Sequence, residues 1–413
     1  MVIRNIYGKL VWLMVVLLIL ASISLTTYTW GRYLLFLIAA VVGACYLRKC
    51  RDGIRLKVDR FQKMLLAFTL YVGASALWAT SSDDAISKMG SILSILVCYY
   101  PIYAFYRDCG GVETLLNAIK WGTTAVSVYT ITFVGMDALL LSASADNLRM
   151  DNTFANVNTL GLCAAVTIFL QLWQLLFRNG KKWEAICCIP SLLVIGASQS
   201  RKAIVFVAIG AVALIIMRHG RVQKPFKTMG ILLLCVAAMA GILYWASQSQ
   251  LFGGLSERMD GMLNMLSGSG KADNSALIRD EMKDLGIACW KQRPILGFGI
   301  GNTHYLVNQY IGRDTYMHNN YVEMLCGGGL VGLLLYYAMH ISCIWNLLRL
   351  RKENKPLFSL GIVWIVLILF MDYGMVSYYG KVDYLYLMTI FLIIEKLKQQ
   401  KRQRLTAEKE GTL

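Results

Sequence analysis

Long apolar stretches alternate with short polar segments along almost the whole chain. About twelve stretches approach the length of about 20 residues that a helix needs to cross a bilayer core. They lie at roughly 10–28, 32–47, 62–79, 90–106, 117–140, 157–177, 184–199, 202–217, 228–246, 320–348, 357–376 and 382–395. The pattern therefore predicts an all-α polytopic membrane protein with about twelve transmembrane helices.

The polar segments alternate between strongly basic and weakly basic ones. If the N-terminus is placed in the cytoplasm, 28 of the 41 Lys and Arg residues fall on the inner segments. Cytoplasmic loops of membrane proteins carry such an excess. We therefore expect both chain ends in the cytoplasm. Residues 1–26 also have the charge and apolar core of a signal peptide, but the next apolar run follows almost at once, which favours a first span.

This topology predicts four regions. Residues 1–246 are expected to form nine membrane helices, and residues 247–318 a large extracytoplasmic loop with one amphipathic helix. Residues 319–395 are expected to form three more membrane helices, and residues 396–413 a basic cytoplasmic tail.

Composition and charge narrow the class of protein. The chain is 57% apolar and only 16% charged, whereas a soluble domain has about 25% charged residues. The net charge of +17 would otherwise suggest nucleic acid, but the basic inner loops account for it and we expect no nucleic-acid partner. Among the eleven cysteines, Cys289 lies clearly in the outer loop without an obvious partner, and no CxxC spacing predicts a metal site.

The outer loop contains a predicted helix at 274–292, with Asn274 or Ser275 as its N-cap and Pro294 as its stop signal. Apolar residues recur along it at steps of three and four, which predicts one apolar face. They are Leu277, Ile278, Met282, Leu285, Cys289 and Trp290. We expect this face to lie on the membrane helices or at the membrane interface.

A glycine-rich segment, Gly297-Phe-Gly-Ile-Gly-Asn302, follows the predicted helix. Its three glycines at two-residue spacing resemble a loop that cradles phosphate. However, no strand is predicted before it, and the spacing matches neither GxGxxG nor a P-loop. A tight turn at the membrane surface is the alternative interpretation.

Cations occur on the outer side, where the positive-inside rule disfavours them. Arg201 and Lys202 follow a very short connection between two apolar runs, and Arg279 lies on the loop helix. Arginine binds phosphate oxygens through a bidentate fork, so two arginines are suited to a diphosphate. The alternative for Arg201 is contact with lipid headgroups.

Two histidines are expected on the outer side. His318 lies at the mouth of a predicted membrane helix, directly before Asn319, and His304 lies in the outer loop. An imidazole can act as a general base, which makes both residues candidates for proton transfer. The alternative for His318 is an ordinary polar residue at the interface.

Three short motifs, taken in their order along the chain, resemble those of a known family. They are Ser200-Arg201-Lys202, Arg279 ahead of the segment Pro294–Asn302, and His318-Asn319-Asn320-Tyr321 leading into a Gly-rich helix. The chain resembles the O-antigen ligase and O-antigen (Wzy-type) polymerase superfamily of bacterial polysaccharide assembly. The Asn-rich segment Phe154–Gly161 is also similar, and the motifs cover about residues 150–340. One departure is Lys202, because a small residue often follows the arginine in this family.

The resemblance implies a GT-C-like fold in the bacterial inner membrane, with its site facing the periplasm or the cell exterior. It implies an undecaprenyl-diphosphate-linked glycan donor that is attacked by a hydroxyl of a glycan or lipid A core acceptor, without a metal or another cofactor. The catalytic residues would be Arg201 and Arg279 on the diphosphate and His318 on the acceptor hydroxyl. The implied substrate-binding residues are Lys202, Gly299, Gly301, Asn302, Asn319 and Tyr321. A chain-length regulator is an expected partner.

Four functions remain open at this point, the fourth more distant than the others. A polymerase of lipid-linked repeat units is favoured over a ligase of the finished glycan, because the outer loop of about 70 residues contains no obvious module for a separate acceptor. A transporter of lipid-linked sugars would carry ionisable residues inside its helices. The sequence contains few of these, chiefly Asp137, Glu323 and Asp372 near helix ends. A cell-wall polymerase is more distant, since it needs a catalytic loop carboxylate. The available carboxylates are Asp260, Asp273, Asp280, Asp284 and Asp314.

Overall fold

A computed structural model describes residues 2–25, 29–49, 57–144, 154–219, 229–230, 274–409 and 411. Every regular element in these ranges is helical. The α-helices are α1 (Val2–Ser24), α2 (Thr29–Lys49), α3 (Arg60–Ala74), α4 (Ser82–Phe105), α5 (Val112–Val134), α6 (Met136–Ser144), α7 (Val157–Phe177), α8 (Cys188–Ser198), α9 (Arg201–His219), α10 (Asn274–Gln292), α11 (Thr303–Ile311), α12 (Asn320–Arg349), α13 (Lys355–Asp372) and α14 (Lys381–Lys409).

The predicted apolar runs coincide with helices wherever they are described, and the run at 228–246 lies almost entirely outside the described residues. Within the described ranges, six helices are long and apolar enough to cross a membrane, namely α1, α4, α7, α9, α12 and α13. The bent pair of α5 and α6 makes a seventh candidate. The all-α class is confirmed, with six or seven of the described helices able to cross a membrane. The count of twelve spans and the large outer loop stay predictions.

The run at 117–140 is not the single helix that its length predicts. Helices α5 and α6 meet at an angle of 97° on either side of Gly135. Gly135 has a φ of +86°, a left-handed conformation that glycine adopts readily and that turns the chain out of the helix. Helix α14 continues through the predicted basic tail as far as Lys409, and the cytoplasmic placement of that tail stays a prediction.

The chain divides into two compact units. The first consists of Met1–Ile38, Glu113–Lys271 and Lys355–Leu367, and the second of Ala39–Val112, Ala272–Asn354 and Ile368–Leu413, as far as these residues are described. The predicted division at 246, 318 and 395 follows the membrane topology instead, and it stays a prediction.

Helix α7 is the centre of the first unit, where it packs against α8 and α9. The connection from α8 to α9 rests directly on it: a Cβ atom on Gly161 would lie 2.8 Å from Ser198 Oγ and 2.9 Å from Ser200 Cβ. The absence of a side chain at Gly161 therefore allows this turn to approach α7.

A buried lysine joins three elements of the first unit. The Lys120 ammonium group on α5 donates to Gln171 Oε1 at 2.9 Å, Gln174 Oε1 at 2.6 Å and Glu184 Oε2 at 2.5 Å. Lys120 is fully buried, whereas the side chain of Glu184 is 17% exposed. A buried charge needs partners of this kind, so the group forms a polar connection inside the helix bundle.

In the second unit, α12 packs against α3 and α10. Helix α10 has the predicted bounds, although the side chains of Asn274 and Ser275 are not among those described. Its predicted apolar face is confirmed in part. Met282 and Cys289 are buried in a cluster with Val307, Met317, Val322 and Cys326, and Ile278 and Leu285 pack against that cluster. Leu277 is 52% exposed.

Candidate functional site

A cavity of about 420 Å³ lies in the second unit, beside α10 and the segment that joins α11 to α12. It is lined by Ile278, Arg279, Met282, Arg313, Asp314, Thr315 and His318. Its volume falls in the usual range for small-ligand sites, about 300–1,000 Å³. The fold therefore brings Arg279 and His318, both predicted from the sequence, into one cavity, together with Arg313, which sequence reasoning missed.

The backbone of His318 has an unusual conformation. Its φ is +54°, in the left-handed region that non-glycine residues seldom occupy. This conformation costs roughly 1–2 kcal/mol and persists only where the surroundings enforce it, which is common at functional sites. The imidazole ring lies 4.3 Å from the ring of Tyr316, measured between centroids.

Buried side chains hold the backbone on both sides of His318. Before it, the Met317 N–H donates to Glu323 Oε2 at 3.0 Å, and the fully buried Glu323 also accepts the Thr303 hydroxyl. After it, Asn319 Oδ1 accepts the N–H groups of Tyr321 and Val322 at 3.0 and 3.1 Å. Asn319 is therefore the N-cap of α12, a role in which asparagine is preferred.

Asn319 and Tyr321, which were expected to bind substrate, each have their side-chain oxygen engaged by the protein. Asn319 is 2% exposed in its cap position. The Tyr321 hydroxyl donates to the Leu369 carbonyl at 2.7 Å, and its ring stacks on that of Tyr337 with centroids 4.8 Å apart. This geometry supports a structural role for both residues.

The glycine-rich segment enters a break in α12. Gly329 interrupts the helix with φ +60° and ψ −164°. The Phe298 and Gly299 N–H groups donate to the carbonyls of Cys326 and Gly327 at 2.9 and 2.8 Å, and the Leu330 N–H donates to Pro294 O at 2.9 Å. These bonds replace helical ones that the break removes, and they engage N–H groups that a phosphate would need. The geometry favours the tight turn over the phosphate cradle for Gly299.

The end of the same segment is attached to the start of α4. Asn302 is 1% exposed; its Oδ1 accepts the Ser81 N–H at 2.6 Å, and its Nδ2 donates to Ser81 O at 3.1 Å. Gly301 has a φ of +85°, and a Cβ atom there would lie 2.8 Å from Lys88 Cγ. Both predicted substrate contacts are thus packed against the protein, where they position the loop.

His304, the alternative base, forms a separate cluster. Its Nδ1 lies 2.7 Å from Asp314 Oδ1 and its Nε2 lies 3.5 Å from Asp84 Oδ2. The Tyr305 hydroxyl donates to the same Asp84 oxygen at 2.8 Å. The cavity lining includes Asp314 but not His304. His304 is therefore connected to the cavity through its hydrogen bond with Asp314.

Arg201 and Lys202 belong to the first unit, and the predicted short turn before them is present. Helix α8 ends at Ser198, Gln199 adopts a left-handed conformation with φ +48°, and Arg201 is the first residue of α9. Gln199 Nε2 donates to Ser142 O at 2.8 Å. The turn therefore places both cations at the N-terminus of α9, where the helix dipole favours anions.

Cys289, for which the sequence offered no obvious partner, is a free cysteine that lies in the same buried cluster as Cys326 on α12. The sequence could not show that the loop helix packs onto the start of α12. Both thiols are buried, with exposed fractions of 2% and 0%. Within the described ranges, no group of three or more His, Cys, Asp or Glu residues is arranged to hold a metal ion.

The cavity has a clear chemical character. Two guanidinium groups provide planar donors for a multiply charged anion, and an imidazole beside them can accept a proton from a hydroxyl. Arg313 carried no signal in the sequence, since a single basic residue in a polar loop is ordinary. The cavity forms because α10 lies against the segment that carries both Arg313 and His318.

Residues 186–337 match the family described as O-antigen ligase. This segment contains Arg201, Arg279 and His318, and the match confirms the resemblance to the O-antigen ligase and polymerase superfamily. It supports an enzyme of that general type acting at a membrane. No curated protein matches the chain.

Proposed function

We propose that the protein is a glycosyltransferase that polymerises lipid-linked oligosaccharide repeats into a surface polysaccharide. Its donor is an undecaprenyl-diphosphate-linked oligosaccharide, and its acceptor is a sugar hydroxyl of another such glycan. The observation that carries this proposal is the cavity that gathers Arg279, Arg313 and His318 inside the segment that matches the O-antigen ligase family.

The reaction transfers a glycosyl group without a change of oxidation state. The bond from the anomeric carbon to the diphosphate oxygen breaks, and a bond from that carbon to the acceptor oxygen forms. The lipid diphosphate leaves with the electron pair, and Arg279 and Arg313 stabilise its growing negative charge. His318 accepts the proton of the acceptor hydroxyl.

Arg201 and Lys202 are proposed to bind the donor as well. The support for Arg201 is its place in the family motif and its position as the first residue of α9, where backbone N–H groups and the helix dipole attract anions. The reaction uses a donor that is already activated, so the proposal includes no cofactor.

The proposed site faces the periplasm or the cell exterior, at the surface of the cytoplasmic membrane. The count of basic residues supports this topology, with both chain ends in the cytoplasm. A donor lipid anchored in the bilayer would then carry its sugars to the level of the cavity. A chain-length regulator is the protein partner that a polymerase would take.

The test uses protein purified in detergent and a lipid-diphosphate-linked oligosaccharide, with products separated on a gel. The wild type should give a ladder of products. Arg279→Ala, Arg313→Ala and His318→Ala should each lower the rate by about 100-fold or more, the usual cost of removing one such charged donor or base. Arg279→Lys should retain partial activity, because lysine keeps the charge but loses the fork.

Lys291→Ala is the matched control, because it removes one cation from the same helix and does not line the cavity. It should leave the ladder unchanged. A single transfer that needs added lipid A core would identify a ligase. No transfer with any donor or acceptor would contradict the proposal and favour a transporter of lipid-linked sugars. Full activity of His318→Ala with loss in His304→Ala would assign the base to His304.

A further inference from the structure

Asn320 is the second residue after His318, and its side chain is fully buried and fully hydrogen-bonded. Its Oδ1 accepts the N–H groups of Ser377 and Tyr378 at 3.0 and 3.2 Å. Its Nδ2 donates to the Tyr337 hydroxyl at 2.9 Å and to Asp372 Oδ2 at 3.4 Å. The first residue of α12 is thus attached to the turn that precedes α14.

A buried carboxylate closes this network. Asp372 is 1% exposed; its Oδ1 accepts the Ser377 hydroxyl at 2.6 Å, and its Oδ2 accepts the Tyr337 hydroxyl at 2.9 Å. Each of the two hydroxyl groups donates one hydrogen bond and accepts another. Tyr337 gives its proton to Asp372 and accepts from Asn320, and Ser377 gives its proton to Asp372 and accepts from Tyr336 at 3.0 Å.

A network of this kind contributes little to stability compared with an apolar core of the same volume. Burying an amide and a carboxylate carries a large desolvation penalty, and replacing such groups by packed apolar side chains is often neutral or stabilising. Its specific effect is to fix one arrangement of the backbone. That backbone adjoins His318, whose left-handed φ has to be enforced by its neighbours.

We propose that Asn320, held by Asp372, is a positioning residue that fixes the His318 backbone and so aims the imidazole into the cavity. The inference rests on the proposed function of His318 as the base. Asn320 and Asp372 do not line the cavity, so they act through His318. Because only Asn319 separates His318 from Asn320, a shift of the Asn320 anchor moves the imidazole. A displacement of about 1 Å can cost about 100-fold in rate.

The test exchanges the amide and the carboxylate. In Asn320→Asp two carboxylates face each other, and in Asp372→Asn two amides do. In the double variant Asn320→Asp/Asp372→Asn, residue 320 still accepts the two N–H groups and now accepts from Tyr337, while residue 372 donates to it and accepts from Ser377. We expect kcat to fall by about 100-fold in each single variant, with little change in the donor KM, and to recover to within about tenfold in the double variant.

Asn346→Asp is the control, because it makes the same change on the same helix at an amide that donates to Ser342 within α12. It should leave kcat unchanged. Ser377→Ala is a milder variant that removes one bond to Asp372, and it should lower kcat several-fold even if the charged single variants fail to fold.

A second readout does not depend on activity. The rate at which diethyl pyrocarbonate modifies His318, measured by mass spectrometry, should change in Asn320→Asp and return in the double variant, while modification of His304 stays constant. If wild-type protein transfers no sugar, the proposed function fails, and the modification rates still test the positioning. If wild type is active and the folded single variants or Ser377→Ala keep its kcat, the positioning role is wrong.

Discussion

At the scale of single residues, His318 combines a place in the lining of the cavity with a strained backbone. The His-Asn-Asn motif is visible in the sequence, but the left-handed backbone is not, because histidine has no strong preference for it. The structure explains the strain through Glu323 on one side and Asn319 on the other, whose side chains bind the neighbouring N–H groups. A strained, clamped histidine in a cavity is the arrangement expected of a reactive group rather than of a surface residue.

The strained backbone at His318 predicts a difference in stability between two variants that both lack the imidazole. His318→Ala still carries a Cβ atom in the left-handed region, whereas His318→Gly does not, so the glycine variant should be more stable by about 1 kcal/mol. Both should lack activity. Thermal unfolding in detergent measures the difference, and a lower midpoint for His318→Gly than for His318→Ala would show that residue 318 is not strained.

A second residue-scale prediction concerns Lys120 and Glu184. Lys120 is fully buried and Glu184 is 17% exposed. Removing one charge or the other should therefore lower the stability by different amounts. Glu184→Gln leaves a buried ammonium without its counter-charge, which typically costs about 3–5 kcal/mol. Lys120→Met leaves a carboxylate that can reach water, and it should cost less. The yield and melting temperature of the two variants give the order, and equal losses would contradict the burial asymmetry.

At the scale of elements, the segment after Pro294 and helix α12 form one structural unit. The glycine spacing was visible in the sequence. Its structural role depends on carbonyl groups of α12, about 30 residues further along the chain. These carbonyls can accept hydrogen bonds from the segment because Gly329 interrupts the helix. A pattern within one segment could not reveal this. The same holds for Asn320 and Asp372, whose contact joins residues 52 positions apart.

The break in α12 predicts that alanine is not tolerated at Gly329, whereas alanine at Gly90 should leave the fold intact. In Gly329→Ala the new Cβ atom would lie 2.3 Å from Ile295 O on a backbone with φ +60°, so the segment after Pro294 would be expelled and folded protein lost. In Gly90→Ala on α4 no atom lies within 4 Å of the new Cβ, and helix propensity favours alanine by about 1 kcal/mol. Size-exclusion chromatography of both variants checks this. A well-folded, active Gly329→Ala protein would contradict the broken helix.

The contact between α10 and α12 gives another element-scale prediction. Because Cys289 and Cys326 lie in one buried cluster, oxidised glutathione should convert them into one disulfide, releasing two molecules of reduced glutathione. Mass spectrometry of a digest should find the peptides of the two helices joined. Cys343, which is buried on the same helix α12, should stay reduced. A Cys289 that forms only mixed disulfides would place α10 elsewhere.

At the scale of the whole molecule, the sequence predicted most helices and two of the residues in the cavity. Apolar runs locate helices because the bilayer demands about 20 apolar residues per span. The bend at Gly135 was missed because one glycine in an apolar run does not signal a break. Arg279 and His318 were found through motif order, whereas Arg313 has no local pattern. Asn320 belongs to the same motif as His318, but its contact with Asp372 depends on the tertiary fold.

The topology is the remaining whole-molecule prediction, and the second unit supports it internally. The Arg404 guanidinium on the tail of α14 lies 3.2 Å from the Glu353 carboxylate in the loop after α12. The two basic segments predicted to be cytoplasmic, 349–355 and 396–409, therefore lie together. Residues 329–349 of α12 alone rise about 30 Å, which separates this end from the cavity by about the thickness of a bilayer core.

Cysteine labelling tests this directly. Gln309 on α11 and Gln403 on α14 are both exposed, and each is changed to Cys in turn. A membrane-impermeant thiol reagent should label Gln309→Cys in intact spheroplasts and Gln403→Cys only after lysis, relative to the parent protein. The reverse pattern would place the cavity in the cytoplasm. Arg279 and His318 would then face the compartment opposite to the one where a surface polysaccharide is assembled, and the proposed polymerase would lose its topological basis.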